Sequence, residues 1–354
     1  MSKVRRMRRV RGRWQAAAGP HALVLMYHRL ATPLTDPWRL SVSPAHFAEH
    51  LEVLRSLGQC LSFVGLGRAL EGARPPSRAL SVTFDDGYRD NLVSALPLLE
   101  AAGVPATVFV TSGTIGQVRE FWWDTLARVF LTIRDLPPML TLTVGGTLSA
   151  WHMERPLGPQ GSGAPGKPAV SDQRVVKRRH RVLHEVWRTL LPLQPDEIER
   201  HTDAIAAWAG HDRGAAVADQ AMNHAELSRL AKSDLIEIGG HTVYHPPLTL
   251  VAPDRASHEI AAGRSALREW TGRDITSFAY PFGMHSPATV AMVRDAGFRH
   301  ACTVIEGITW PATDLFRVPR LQVLDWTGEE LEREIVSFIG GIKGQNASSR
   351  KAAA

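Results

Sequence analysis

The residues best suited to chemistry fall in short clusters, each closing an apolar run. Ser81-Val82-Thr83-Phe84 ends in Asp85-Asp86-Gly87-Tyr88. Adjacent acids at a strand's end sit where α/β enzymes place their sites. Side chains alternate along an extended chain, so the turn allows one acid to bind a metal while the other faces a substrate. Taken alone, Asp-Asp-Gly is also a common turn. A second run, Leu235–Ile238, ends in Gly239-Gly240-His241-Thr242-Val243-Tyr244-His245-Pro246. Two imidazoles four residues apart meet one cation if the segment makes a brief helical turn, and with a carboxylate they suit Zn²⁺ or a similar divalent ion. Histidines also cap and pack, so the weight lies in the two clusters together. Phe278-Ala279-Tyr280-Pro281-Phe282-Gly283 follows another such run. Tyr280, Pro281 and Phe282 could wall a sugar site and present a backbone N–H; a packed aromatic turn is the alternative. Arg317-Val318-Pro319-Arg320 leads into Leu321-Gln322-Val323-Leu324-Asp325-Trp326. Leu23-Val24-Leu25-Met26-Tyr27 delivers His28.

The elements that must position these residues follow from periodicity. Strands are expected at Leu23–Tyr27, Leu80–Phe84, Thr107–Thr111, Leu235–Ile238, Ser277–Tyr280, His300–Val304 and Arg320–Leu324, with a weaker one at Leu61–Phe63. Helices are expected at Pro44–Leu57, Asn91–Ala102, Asp254–Thr271 and Ser286–Ala296, each closed by a glycine. This alternation predicts an α/β fold with parallel strands. Residues 117–222 break the rhythm and read as an insertion rather than a second independent domain. A helix from Phe121-Trp122-Trp123-Asp124 to Ile133 is expected, then a hairpin over Leu140–Trp151 turning at Gly145-Gly146. A Gly- and Pro-rich loop at Pro156–Pro168 and helices over Val175–Leu191 and Asp196–Trp208 complete it. The remaining divisions are a basic tail (1–19), the main body (20–335) and a C-terminal tail (336–354).

Taken together, the motifs resemble the polysaccharide deacetylases with a NodB homology domain. Thr83-Phe84-Asp85-Asp86-Gly87 is similar to that family's first motif and His241–Pro246 to its second. Tyr280–Gly283 and the Leu-Asp-Trp around Asp325 are similar to its third and fourth. The resemblance spans roughly 20–115 and 223–330. It implies a distorted (β/α) barrel carrying a mixed helical and hairpin insertion. Asp86, His241 and His245 would hold the metal (Zn²⁺, Co²⁺ or Ni²⁺), and Asp85 would be the catalytic base. Two departures stand out. Ala279 occupies the position where the family places an arginine that orients the base, and Arg320 is the candidate replacement, close in sequence to Asp325. No histidine follows Trp326 to supply the family's acid, whereas His28 has the required form at the other end of the chain. First and last strands of a barrel are neighbours, so a circular permutation like that of poly-N-acetylglucosamine deacetylases assigns the acid to His28.

The activity implied is metal-dependent removal of N-acetyl groups from a hexosamine-containing glycan or a lipid- or nucleotide-linked precursor, releasing acetate. The same site acting on another amide or an O-acetyl ester, and a silent glycan-binding protein, are the alternatives. Trp122 and Trp123 either stack on sugar or pack a core. Composition limits other classes. Of 41 Lys and Arg, seven lie in residues 1–14, leaving 34 bases against 35 acids elsewhere. That balance excludes a body built around a nucleic-acid groove. The Arg-rich start could contact anionic lipid at the inner membrane face or remain a solvated tail. It lacks the continuation of a signal peptide, so a cytoplasmic protein is expected. Cys60 and Cys302 cannot make a disulfide framework and are expected to be buried thiols.

Overall fold

The computed structural model describes residues 21–72, 78–153, 173–211, 213 and 219–338. The Arg-rich start, the whole Gly- and Pro-rich loop Pro156–Pro168 and the end of the C-terminal tail lie outside the described residues. Strands β1 (His21–Tyr27), β5 (Arg78–Phe84), β6 (Ala106–Val110), β9 (Ile236–Gly240), β10 (Ser277–Ala279), β11 (His300–Cys302) and β12 (Leu321–Gln322) form one parallel sheet in the order β11-β10-β9-β6-β5-β1-β12. The short β4 (Gln59–Cys60) also pairs with β5. Elsewhere β2 (Arg29–Leu30) pairs with β3 (Ser41–Val42), and β7 (Met139–Val144) with β8 (Thr147–His152). The long sheet curls until its edges meet: β12 pairs with β1 at Leu25↔Leu321, while Val318, just before β12, bridges Cys302 of β11. The fold is thus a distorted (β/α) barrel.

Strands buried on both faces read as unbroken apolar runs, and pleating splits them into two sets. Leu23, Leu25, Tyr27, Leu80, Val82 and Phe84 join the outer core beneath the helices. Ala22, Val24, Ala79, Phe109, Ala279, Cys302 and Val318 line the interior. Cys302 is buried as expected, whereas Cys60 is only half-buried.

One expectation fails at Leu61–Phe63. The segment enters a helix, Phe63–Glu71, because the Ser62 side chain caps it by accepting the Gly65 N–H. Phe63 and Leu66 enter the barrel interior. The first amides are satisfied from strand starts: Phe63 N–H donates to Thr107 Oγ1 (3.0 Å) and Val64 N–H to Glu237 Oε2 (3.1 Å). This helix plugs one mouth of the curl, leaving the mouth at the strands' C-terminal ends for chemistry. The expected helix Asn91–Ala102 is divided, with a π-helical turn at Asn91–Ala95 before the α-helix Leu96–Ala102.

The inserted segment has its own apolar cluster, built on helices Trp122–Thr132, Gln173–Leu190 and Pro195–Trp208 and the β7–β8 hairpin. Its ends are pinned together: Gly116 N–H donates to Met222 O (3.0 Å), Met222 N–H to Gly87 O (3.2 Å) and Arg89 N–H to Gln220 O (2.9 Å). Tyr88, directly after the Asp-Asp-Gly turn, is buried in the inserted cluster. Among the described residues, no helix is long and apolar enough to cross a membrane.

Candidate active site

The C-terminal ends of three strands meet at the open mouth, joined by the residue that leads into a fourth. Asp85 and Asp86 follow β5, His241 and His245 follow β9, His28 follows β1, and Arg320 precedes β12. The backbone here is strained: Asp86, Thr242, His245 and Phe282 have φ of 74°, 66°, 59° and 56°. Positive φ in non-glycine residues is costly and persists only where the surroundings impose it. At the histidine loop they do so through Glu259 of the helix Pro253–Thr271. Its Oε2 accepts the N–H groups of Val243 (2.9 Å) and Tyr244 (2.8 Å). Thr242 Oγ1 accepts the His245 N–H at 2.9 Å.

Asp86 Oδ1 lies 3.5 Å from Nε2 of His241 and 3.5 Å from Nε2 of His245. It is buried and lacks a hydrogen-bond donor among the described residues. His241 Nδ1–H donates to Ala279 O at 2.7 Å, so a neutral His241 turns its Nε2 lone pair toward Asp86. The three potential ligand atoms lie within 4.8 Å of one another. Tetrahedral ligands at ordinary zinc distances stand about 3.4 Å apart. Three lone-pair donors converging on one point are what a divalent cation satisfies, and the residues fit one. Burial depresses the imidazoles, but at His241 the Asp86 and Asp85 carboxylates outweigh it and the pKa is raised. At His245 burial prevails and pushes the pKa down to about 3.

Asp85 does not share that point. Arg320 Nη1 and Nη2 donate to its two oxygens at 2.8 and 2.7 Å. Arg320 is fully buried, with Nε–H donating to Thr303 O (2.9 Å) and Nη1 also reaching Thr83 Oγ1 (3.2 Å). Burial alone would raise the Asp85 pKa; the Arg320 fork outweighs it and holds the carboxyl well below the usual range. His28 Nε2 stands 4.0 Å from Asp85 Oδ2.

Other expected residues lie elsewhere. Asp325 accepts the Ser43 N–H (2.8 Å) and pairs with His46 Nδ1 (2.7 Å); it serves the helix Pro44–Leu57, not the cluster. Tyr280 is fully buried beside Phe278 and His285 and cannot stack on a sugar. The pleat is the reason: Ala279 faces inward, so Tyr280 faces the outer core. Pro281 is buried as well, leaving Phe282 as the half-exposed member of the three. Trp123 is nearly enclosed, its ring against His245 at 5.1 Å. Phe121, Trp122, Trp123, Tyr244 and His245 border a groove of about 420 Å³.

Sequence reasoning missed Glu259, although a signal was present. It shares the buried helical face of Ala256, Ile260, Gly263 and Leu267, where an acid has no business without a partner.

A sequence profile of the polysaccharide deacetylase family matches residues 72–131 and 213–301. The gap falls within the insertion, and both His28 and Arg320 lie outside the matched stretches. YxkH of Bacillus subtilis strain 168, a protein named for the same family, is 33% identical over 96 residues. That match covers 27% of this chain and only 33% of YxkH. Among solved structures, the fold is similar to the Streptococcus pyogenes deacetylase PplD, determined with acetate: TM-score 0.55, 18% identity, 89% of this chain and 98% of that one. IcaB from Ammonifex degensii gives a TM-score of 0.55 at 18% identity, over 91% of this chain and 97% of IcaB.

Proposed function

We propose that this chain, which a polysaccharide deacetylase profile matches over residues 72–131 and 213–301, hydrolyses N-acetyl groups on a hexosamine-containing glycan or glycan precursor, releasing acetate. The observation that carries this reading is the convergence of two distinct sets at one barrel mouth: Asp86 with two imidazoles, and Asp85 with Arg320 and His28. Asp86, His241 and His245 would hold the metal, which when bound supplies Lewis-acid activation of water and carbonyl. Asp85, kept ionised by Arg320, accepts the proton of the attacking water. His28, beside Asp85, donates a proton to the departing amine. Phe282 borders the site and contacts His245 at 4.5 Å. Permutation accounts for the provenance of His28: β1 lies parallel between β5 and β12, the place a C-terminal strand would occupy.

The test is metal content by elemental analysis on wild type and on His241→Ala/His245→Ala, with acetate release from N-acetylhexosamine oligomers measured on the same samples. About one Zn²⁺, Co²⁺ or Ni²⁺ per wild-type chain, lost in the variant together with acetate release, is the expected result. Metal without acetate release moves the site to another amide or an O-acetyl ester. Absence of metal from both proteins, purified without chelator, overturns the mechanism and leaves glycan binding. Within the reaction, His28→Ala should keep its metal and lose turnover; near-normal turnover would remove His28 from the acid's role.

A further inference from the structure

The two imidazoles of the cluster are held by different means. Histidines that ligate metals are ordinarily oriented by a hydrogen bond from the far ring nitrogen. His241 has one, to Ala279 O at 2.7 Å. His245 Nδ1 is buried and has no hydrogen-bond partner among the described residues. Its ring is instead enclosed by rings: Trp123 at 5.1 Å, Phe282 at 4.5 Å and His241 at 4.7 Å, tilted by 52°, 70° and 64°.

Trp123 is itself firmly placed. Its Nε1–H donates to Tyr88 Oη (2.9 Å), and the Tyr88 hydroxyl donates to Asp124 Oδ2 (2.7 Å). Its carbonyl accepts the Trp38 indole N–H (3.3 Å), and its ring stacks on Phe121 at 4.7 Å and 17°. On the other side Phe282 is backed edge-on by Trp187 at 5.7 Å, which stacks on Trp122. Trp122, Trp123 and Trp187 all come from the inserted segment. Tyr88, which anchors Trp123, lies two residues after Asp86. The inserted cluster is therefore tied to both sides of the three-ligand set.

We infer that Trp123 is a positioning residue for the metal centre: its ring fixes the imidazole of His245 in place of the missing hydrogen bond, and the insertion thereby completes the cation site. This rests on the metal-dependent reading above. It gives the insertion a task distinct from covering the substrate, and it gives Trp123 a task distinct from stacking on sugar. Packing can do this because rings at van der Waals contact in a close-packed interior have few alternative rotamers.

The readout is cation affinity, measured by competition of Zn²⁺ with a chromophoric chelator and by the ligand-field absorption of the Co²⁺-loaded protein. Wild type, Trp123→Ala, Trp123→Phe and Phe282→Ala are compared with Trp151→Ala, a truncation in the same inserted cluster with no contact to His245. Trp123→Ala is expected to weaken the cation by about ten- to hundredfold, the range of lost outer-shell support, and to alter the Co²⁺ spectrum. Trp123→Phe, which keeps a ring against His245, should recover most of the affinity. Phe282→Ala tests the same enclosure from the other side should Trp123→Ala fail to fold. Unchanged affinity with a raised KM for glycan in Trp123→Ala would overturn the inference in favour of a sugar-facing tryptophan. Equal weakening in Trp151→Ala would also overturn it, reducing Trp123 to general stability. If wild type binds neither Zn²⁺ nor Co²⁺, the metal-dependent reading itself has failed, and the inference falls with it.

Discussion

At the residue scale, the adjacent acids owe their different chemistry to the tight turn that separates them. Asp85 meets a buried guanidinium and Asp86 meets two imidazoles, so one carboxylate is neutralised by a fork and the other faces two nitrogen donors. Breaking a buried pair leaves an uncompensated charge, which costs about 3–5 kcal/mol. Arg320→Met should therefore be destabilised by that amount in urea titrations at pH 7 and lose acetate release. Its pH dependence carries a sign. In wild type the folded Asp85 pKa is depressed, so its contribution is present above the unfolded value near 4 and is lost as pH falls through the folded one. Without Arg320, burial raises that pKa and the neutral acid becomes the favoured form. The stability gap between variant and wild type should then narrow as pH is lowered from 7 towards 4; a constant gap would show that Asp85 is not the charge being compensated.

At the element scale, two contacts govern how helices meet the barrel. His50, in the helix Pro44–Leu57, donates from Nε2 to Trp326 O (2.6 Å) and accepts the Tyr27 hydroxyl at Nδ1 (3.2 Å). Burial pushes its pKa down to about 4. The unfolded state therefore binds the proton first, and His50's contribution, full above about pH 6.5, is lost as pH falls towards 4. The loss between pH 7 and pH 5 is on the order of 2 kcal/mol. His50→Gln should flatten the decline in stability over that interval, measured by denaturant titration at each pH. Arg179, a buried base in the helix Gln173–Leu190, donates to the carbonyls of Phe130, Ile133 and Arg134 at the end of the helix Trp122–Thr132. Arg179→Ala strands those acceptors, each unsatisfied buried group costing about 1–3 kcal/mol. Faster amide exchange across 122–132 than in the barrel strands is the expected signature.

At the scale of the whole molecule, one mouth is plugged by the helix Phe63–Glu71 and the other is bordered by the inserted cluster. The site thus lies between a rigid floor and a wall that no strand supplies. The charge excess sits in the first 14 residues, away from this arrangement in sequence. Removing residues 2–13 should leave acetate release within about twofold of the full chain, while reducing any sedimentation with anionic vesicles, where each basic residue contributes about 1 kcal/mol. Loss of hydrolysis on that deletion would mean that the tail belongs to the working site.

What could be read in the chain itself were the residues that end strands. Parallel strands all deliver their C-terminal ends to one mouth, so Asp85, Asp86, His241, His245 and His28 could be gathered from local patterns alone, and Arg320 from its strand-like context. The α/β class with parallel strands followed from the same alternation, whereas the barrel and the roles given to His28 and Arg320 came from the family resemblance. The facing of particular side chains was decided only in three dimensions. Tyr280 and Ala279 exchange inside for outside by one step of pleat, and no local signal says which of the two meets the interior. Asp325 was expected in the site because its Leu-Asp-Trp setting resembles a family motif, yet its carboxylate accepts the Ser43 N–H and pairs with His46 at the start of the helix Pro44–Leu57. Trp123 could be core or platform by composition; its place against His245 depends on an insertion folding back across more than a hundred residues. Such pairings are set by packing between distant segments, and periodicity within one segment carries no information about them.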